Sequence, residues 1–116
     1  MVWLEELDEK PRLRILSHLE LLVERGPLLA RPYADTLKGS KIPNLKELRV
    51  RYRGEPIRIL FAFDQKQQAV IILGGCKRAG KRWYEMNVPI AEVLFARHME
   101  KQQKLVEEPI REGKEK

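Results

Sequence analysis

Three strand-like segments joined by two short turns fix most of what this 116-residue chain can become. In KELRVRYR (46–53), Leu48, Val50 and Tyr52 alternate with Glu47, Arg49, Arg51 and Arg53. A period of two turns the apolar set toward a core and the arginines to the opposite face. Arg53-Gly54-Glu55-Pro56 reads as a turn. IRILFAFD (57–64) follows as a second strand, with Ile57, Ile59, Phe61 and Phe63 on one face and Arg58, Leu60 and Ala62 on the other. After the polar turn DQKQQ, the segment AVIILGG (69–75) is almost continuously apolar, as expected of a central strand. Connections this short imply an antiparallel meander.

Helical patterns flank the meander. Leu4 and Leu7 lead into Ile15, Leu16, Leu19, Leu22 and Val23, spaced by three and four residues. Asp8 is the expected N-cap, Pro11 fits the first turn, and Gly26-Pro27 stops the helix. Residues 27–45 carry Pro27, Pro32, Gly39 and Pro43 and read as loop, with room for one short helix. From about Pro89 the pattern is helical again, with Ile90, Ala91, Leu94, Phe95, His98 and Met99 on one face and Asn87 or Val88 near the cap. The expected fold is α+β: an N-terminal helical segment, three to four antiparallel strands and a C-terminal helix. Residues 1–106 are expected to form one domain, and residues 107–116 a charged, disordered tail broken by Pro109 and Gly113.

Charge narrows the function classes. The formal net charge of +6 is concentrated in residues 38–82, which hold 12 Lys/Arg against 3 Asp/Glu. Residues 1–37 hold 5 against 7, and residues 83–116 hold 6 against 7. Concentrated positive charge attracts polyanions and releases their counterions, so nucleic acid is the leading partner class. No apolar run approaches the roughly 18 residues of a membrane span, and the acidic start MVWLEELDEK is not a secretory signal. The reading is therefore of a cytoplasmic protein without a membrane partner. One cysteine, Cys76, permits no internal disulfide, and nothing resembles a zinc motif.

The segment GGCKRAGKRWYE (74–85) sets Lys77, Arg78, Lys81 and Arg82 directly before Trp83 and Tyr84. Gly75 to Lys81 has the spacing G-x-x-x-x-G-K of a phosphate-cradling loop, but Arg82 stands where that loop needs a magnesium-binding hydroxyl. The expected antiparallel sheet and the expected absence of a helix directly after Lys81 also count against it. Two readings remain. One is a passive clamp, with cations on phosphate and aromatics under bases. The other is cleavage of RNA without metal, which needs a proton acceptor for the 2′-hydroxyl, cations for the phosphorane and a donor for the 5′-oxygen. His18 and His98 lie on separate helices outside the basic region and read as boundary and packing residues. The chemistry would fall to Arg, Lys and Tyr: a lysine crowded by cations loses its proton more readily, Tyr84 offers a hydroxyl, and Arg49, Arg51 and Arg58 face the cationic stretch across the sheet.

The pieces DTLKGS, NLKELRV, RILFAFD, the GG-x-K segment and RWYE followed by VPIAE span residues 35–92. In their order and spacing they resemble the RelE/ParE superfamily of toxins from type II toxin–antitoxin systems, and within it the HigB-like branch that includes phage-derived members. The resemblance implies a small toxin that cleaves messenger RNA in the ribosomal A site, with no metal and no organic cofactor, and whose partner is a helix-turn-helix antitoxin. It also implies roles: Arg49 and Arg58 on phosphate, Lys77 as base or transition-state cation, and Arg82 and Tyr84 completing the site at the sheet's end. Arg51, Arg78 and Lys81 would contact RNA without joining the chemistry. The expected catalytic set is thus Arg58, Lys77, Arg82 and Tyr84. Two departures stand out. The family pattern begins with a strand before the first helix, whereas this chain starts almost at the helix with Val2-Trp3-Leu4. Cys76 occupies a position where an acid is expected beside the lysine. An inactive homologue that keeps antitoxin binding, and a ParE-like gyrase inhibitor, are the alternatives.

Overall fold

The first element among the described residues is a helix that Asp8 enters in an extended conformation and Gly26 ends at φ 53°. The computed structural model describes the backbone of residues 7–115 and the side chains of residues 7–104. Helix α1 is Glu9–Arg25; the Asp8 carbonyl accepts the Arg12 amide at 3.1 Å, while the Asp8 side chain makes no cap bond. Ile15 and Leu22 are buried, with Leu19 beside them, whereas Leu16 and Val23 turn outward. The apolar stripe is therefore narrower than the sequence suggests. The expected departure ahead of α1, and Leu4, fall on residues 1–6, outside the described residues.

Four antiparallel strands follow in the order β1-β2-β3-β4: β1 is Ala34–Thr36, β2 Lys46–Tyr52, β3 Glu55–Phe63 and β4 Ala69–Cys76. The region expected to be loop thus contains a 3-10 turn at Gly26–Leu28 and a three-residue edge strand, β1, paired to β2 from Ala34↔Leu48 to Thr36↔Lys46. Between β2 and β3, Arg53 and Gly54 both take positive φ, 50° and 79°. That is the two-residue turn whose twist matches paired strands, and Gly54 makes it inexpensive. Between β3 and β4, the buried Asp64 carboxylate accepts the amides of Lys66 and Gln68 at 2.8 and 3.0 Å. Leu60 pairs with Leu73 and Phe61 with Ile71, so Ile72 is an extra residue in a bulge.

Both faces of the sheet are covered. On one, α1 packs through Ile15 and Leu22 onto Leu48, Val50, Ile57, Ile59 and Phe61. On the other, Ile42, Leu45, Leu60 and Ala62 meet Trp83 and Ala91 of helix α2, Lys81–Glu115. Each large side chain buried in these layers contributes about 1.5–3 kcal/mol. The face assigned to arginines is consequently half apolar, and it buries Glu47 as well.

Helix α2 begins at Lys81, not near Pro89. Gly80, at φ 60°, reverses the chain, and the amides of Arg82 and Trp83 bond back to Ala79 and Gly80. Pro89 sits inside the helix, where its missing N–H leaves the Glu85 carbonyl without its usual donor. Both residues are exposed, so that carbonyl is open to solvent. Side chains of the charged tail, 107–116, lie outside the described residues.

Candidate functional site

The strand register assembles the site. On the α2-facing side, Arg49 of β2 is opposite Arg58 of β3, and Arg58 is opposite Gly75 of β4. Gly75 leaves space that Trp83 fills: a β-carbon there would lie 3.0 Å from the indole Nε1. Seating the indole over β4 fixes the first turn of α2, and Tyr84 meets Trp83 edge-on at 5.3 Å. Tyr84 is thereby aimed at the sheet.

Glu47 is the group around which the rest is arranged. It is 2% exposed, and a carboxylate so placed requires partners. Its Oε2 accepts the Tyr84 hydroxyl at 2.5 Å and its Oε1 accepts Arg49 Nε at 3.0 Å. Arg58 Nε lies 3.7 Å from Oε2, too long for a hydrogen bond, and is buried without one. Arg58 Nη1 donates to the Ile57 carbonyl at 3.0 Å. Arg49 reaches a second acid, Asp35, at 3.2 Å, and Arg31 bonds the same Asp35 oxygen at 2.7 Å. Lys77 places its Nζ 5.2 Å from the centre of the Tyr84 ring. Burial, and then the bond to Glu47, push the Tyr84 hydroxyl up to about 12, so it keeps its proton and acts as a donor.

Of the sequence-predicted residues, the fold brings Arg49, Arg58, Lys77 and Tyr84 together. Arg82 is two residues from Tyr84, and residues so spaced do not share a helix face; it is exposed. Arg78 is exposed and paired with Glu55 at 2.8 Å, and Cys76 Sγ–H donates to the same Glu55 oxygen at 3.3 Å. Arg51 is exposed and accepts Arg14 Nε through its carbonyl at 3.3 Å. Lys81 lines a groove next to Tyr84. His18 bonds the Arg14 carbonyl and His98 stacks on Phe95, both apart from the cluster. Sequence reasoning misses Glu47, although its place in the period-two pattern with Arg49 and Arg51 puts it on the arginine face.

The G-x-x-x-x-G-K spacing does precede a helix, contrary to the sequence reading. Yet two of the loop's amides are already spent: Lys77 on the Pro56 carbonyl at 2.7 Å and Gly80 on the Lys77 carbonyl at 2.9 Å. The Gly75 approach is filled by indole. Among the described residues, no group of three or more His, Cys, Asp or Glu is placed to hold a metal ion.

Residues 2–96 match the model of the family described as phage derived protein Gp49-like (DUF891). The chain belongs to the Gp49-like family. It is 43% identical over 91 residues to the putative toxin HigB3 of Mycobacterium tuberculosis, covering 78% of both chains. It is 40% identical over 100 residues to the putative toxin HigB2 of the same organism, covering 84% of this chain and 49% of that one. The chain thus spans about half the length of HigB2 and most of HigB3. No solved structure matches it. The resemblance to HigB-like toxins is borne out by both relatives, and the α+β expectation for this Gp49-like chain by its helices and sheet.

Proposed function

We propose that this protein is the toxin of a type II toxin–antitoxin system and cleaves messenger RNA on the ribosome without a metal ion. The observation that carries the proposal is the convergence of Arg49, Arg58, Lys77 and Tyr84 around buried Glu47. In this reading, the 2′-hydroxyl oxygen attacks phosphorus and its proton passes to Lys77. Arg58 and Arg49 neutralise the phosphorane oxygens. The bond to the 5′-oxygen breaks as Tyr84 protonates it, with Glu47 holding that hydroxyl in place. The products are a 2′,3′-cyclic phosphate and a 5′-hydroxyl. The cognate antitoxin is the protein partner.

A second reading is an inactive homologue, which the commitment of Tyr84 and Arg49 to Glu47 favours. Tightly controlled expression, with and without Lys77→Ala, and mapping of cellular 5′ ends distinguishes the two. In-frame cuts within translated regions that vanish in the variant support the nuclease. Lys77→Arg sets a permanent cation there and removes the base, so retained cutting would reassign Lys77 to charge stabilisation. Growth arrest without cuts moves the reading to gyrase, and neither effect identifies an inactive protein.

A further inference from the structure

A groove of about 420 Å³ lies between the 37–41 loop and the side of α2, with Tyr84 in its wall. We propose that it is a nucleotide subsite, which seats the RNA residue next to the cleaved bond. The inference rests on the nuclease reading and adds where the strand lies.

Three observations support it. First, the groove's lining combines the apolar surfaces of Leu37, Val88 and Pro89 with Lys38, Lys41 and Lys81. An apolar wall accepts the face of a base, and lysines beside it meet the flanking phosphates. Second, the groove is preformed. Glu92 accepts the Ser40 hydroxyl at 3.0 Å and the Lys41 amide at 2.5 Å, and the Leu37 amide bonds the Leu45 carbonyl at 2.7 Å. The loop is therefore held across the helix before any ligand arrives, which lowers the ordering cost of binding. Third, the groove adjoins the cluster, because Tyr84 lines the groove and bonds Glu47. Glu85 also lines it. That carboxylate repels phosphate but accepts from an exocyclic amine, so it favours a base that carries one.

The test measures binding of a fluorescein-labelled single-stranded oligoribonucleotide to the purified protein across salt concentrations, alongside ribosome-programmed cleavage with mapped ends. Lys38→Ala/Lys41→Ala is expected to weaken binding about tenfold and to flatten the log–log salt slope by about 1.4, or about 0.7 for each phosphate no longer neutralised. Arg97→Ala/Lys101→Ala, with the same charge change farther along α2, should leave that slope unchanged. In the cleavage assay the first pair should raise KM with kcat within about threefold and shift the base preference, whereas Tyr84→Phe should lower kcat with KM kept. Wild-type cleavage with the two double variants behaving alike overturns the subsite and leaves the nuclease reading standing. Binding with the expected slopes but no cleavage keeps the subsite as an RNA site and overturns the nuclease reading. No binding and no cleavage overturns both.

Discussion

Exchanging Glu47 for glutamine removes one charge and almost no volume, so it tests whether this carboxylate organises the site. The side chain is 3% exposed and bonds Tyr84 at 2.5 Å and Arg49 at 3.0 Å, with Arg58 at 3.7 Å. The bond from Tyr84, charge-assisted and worth about 1.5–3 kcal/mol, becomes a neutral one worth about 0.5–1.5, and the bond from Arg49 keeps its charged donor but loses its charged acceptor. Arg58, 11% exposed, also loses its counter-ion. Removing one member of a buried ion pair costs about 3–5 kcal/mol in all. The residual exposure of Arg58 and the remaining dipole of the amide place the change near the lower bound, about 3 kcal/mol. With a urea m-value of about 2 kcal/mol/M, the unfolding midpoint falls by about 1.5 M. Urea titrations followed by tryptophan fluorescence on the wild type, Glu47→Gln, Arg58→Met and the double variant complete the cycle. The coupling between the two sites should exceed about 1 kcal/mol. A loss below about 1 kcal/mol, or strict additivity, would refute the central role given to Glu47.

Three further outcomes are expected. The wild-type minus Tyr84→Phe absorbance difference should titrate near 12 and not near the ordinary tyrosine value of 10. Because the folded value is the higher, the contribution of Tyr84 to stability is complete below pH 10 and lost as pH rises toward 12, which alkaline melts of the two proteins should show. Gly75→Ala puts a β-carbon 3.0 Å from the Trp83 indole, so the ring must shift; a loss of about 1–2 kcal/mol and a red-shifted emission are expected from fluorescence-detected unfolding. The bond from Gln102, then that from the Gln68 amide, hold Asp64 below the usual carboxylate range. Its contribution is present above the ordinary value of about 3.9 and lost as pH falls through the depressed one, so Asp64→Asn should cost stability at pH 7 and much less at pH 2, read from melting temperatures.

The meander is legible because each strand carries its own signal: alternation in 46–53 and 57–63, an apolar run in 69–75, and Arg53-Gly54 or Asp64 at the reversals. Strand β1 carries none. Its three residues owe their conformation to partners 10 to 14 positions away, such as Ala34↔Leu48, and local pattern does not encode such pairing. The start of α2 is misread because Pro89 looks like a boundary, yet docking Trp83 over Gly75 outweighs the one backbone bond that Pro89 removes. In the site, Arg49, Arg58, Lys77 and Tyr84 are identifiable by residue type and resemblance. Glu47 is hidden by its identity: an acid among arginines on a strand looks solvated, and only α2 closing over that face shows it to be buried. Arg82 and Tyr84, adjacent but for one residue, are separated by the turn of a helix that begins earlier than expected.

That late helix gives the protein an order of assembly. Glu47, Arg49 and Arg58 lie on β2 and β3, which precede β4, but their tyrosine lies in the final helix and is aimed only once Trp83 has seated over Gly75. Domains fold as units once their sequence has emerged. A chain still in synthesis therefore has its arginines without an oriented proton donor. On the nuclease reading, the ribosome that makes the toxin is spared until the toxin leaves it.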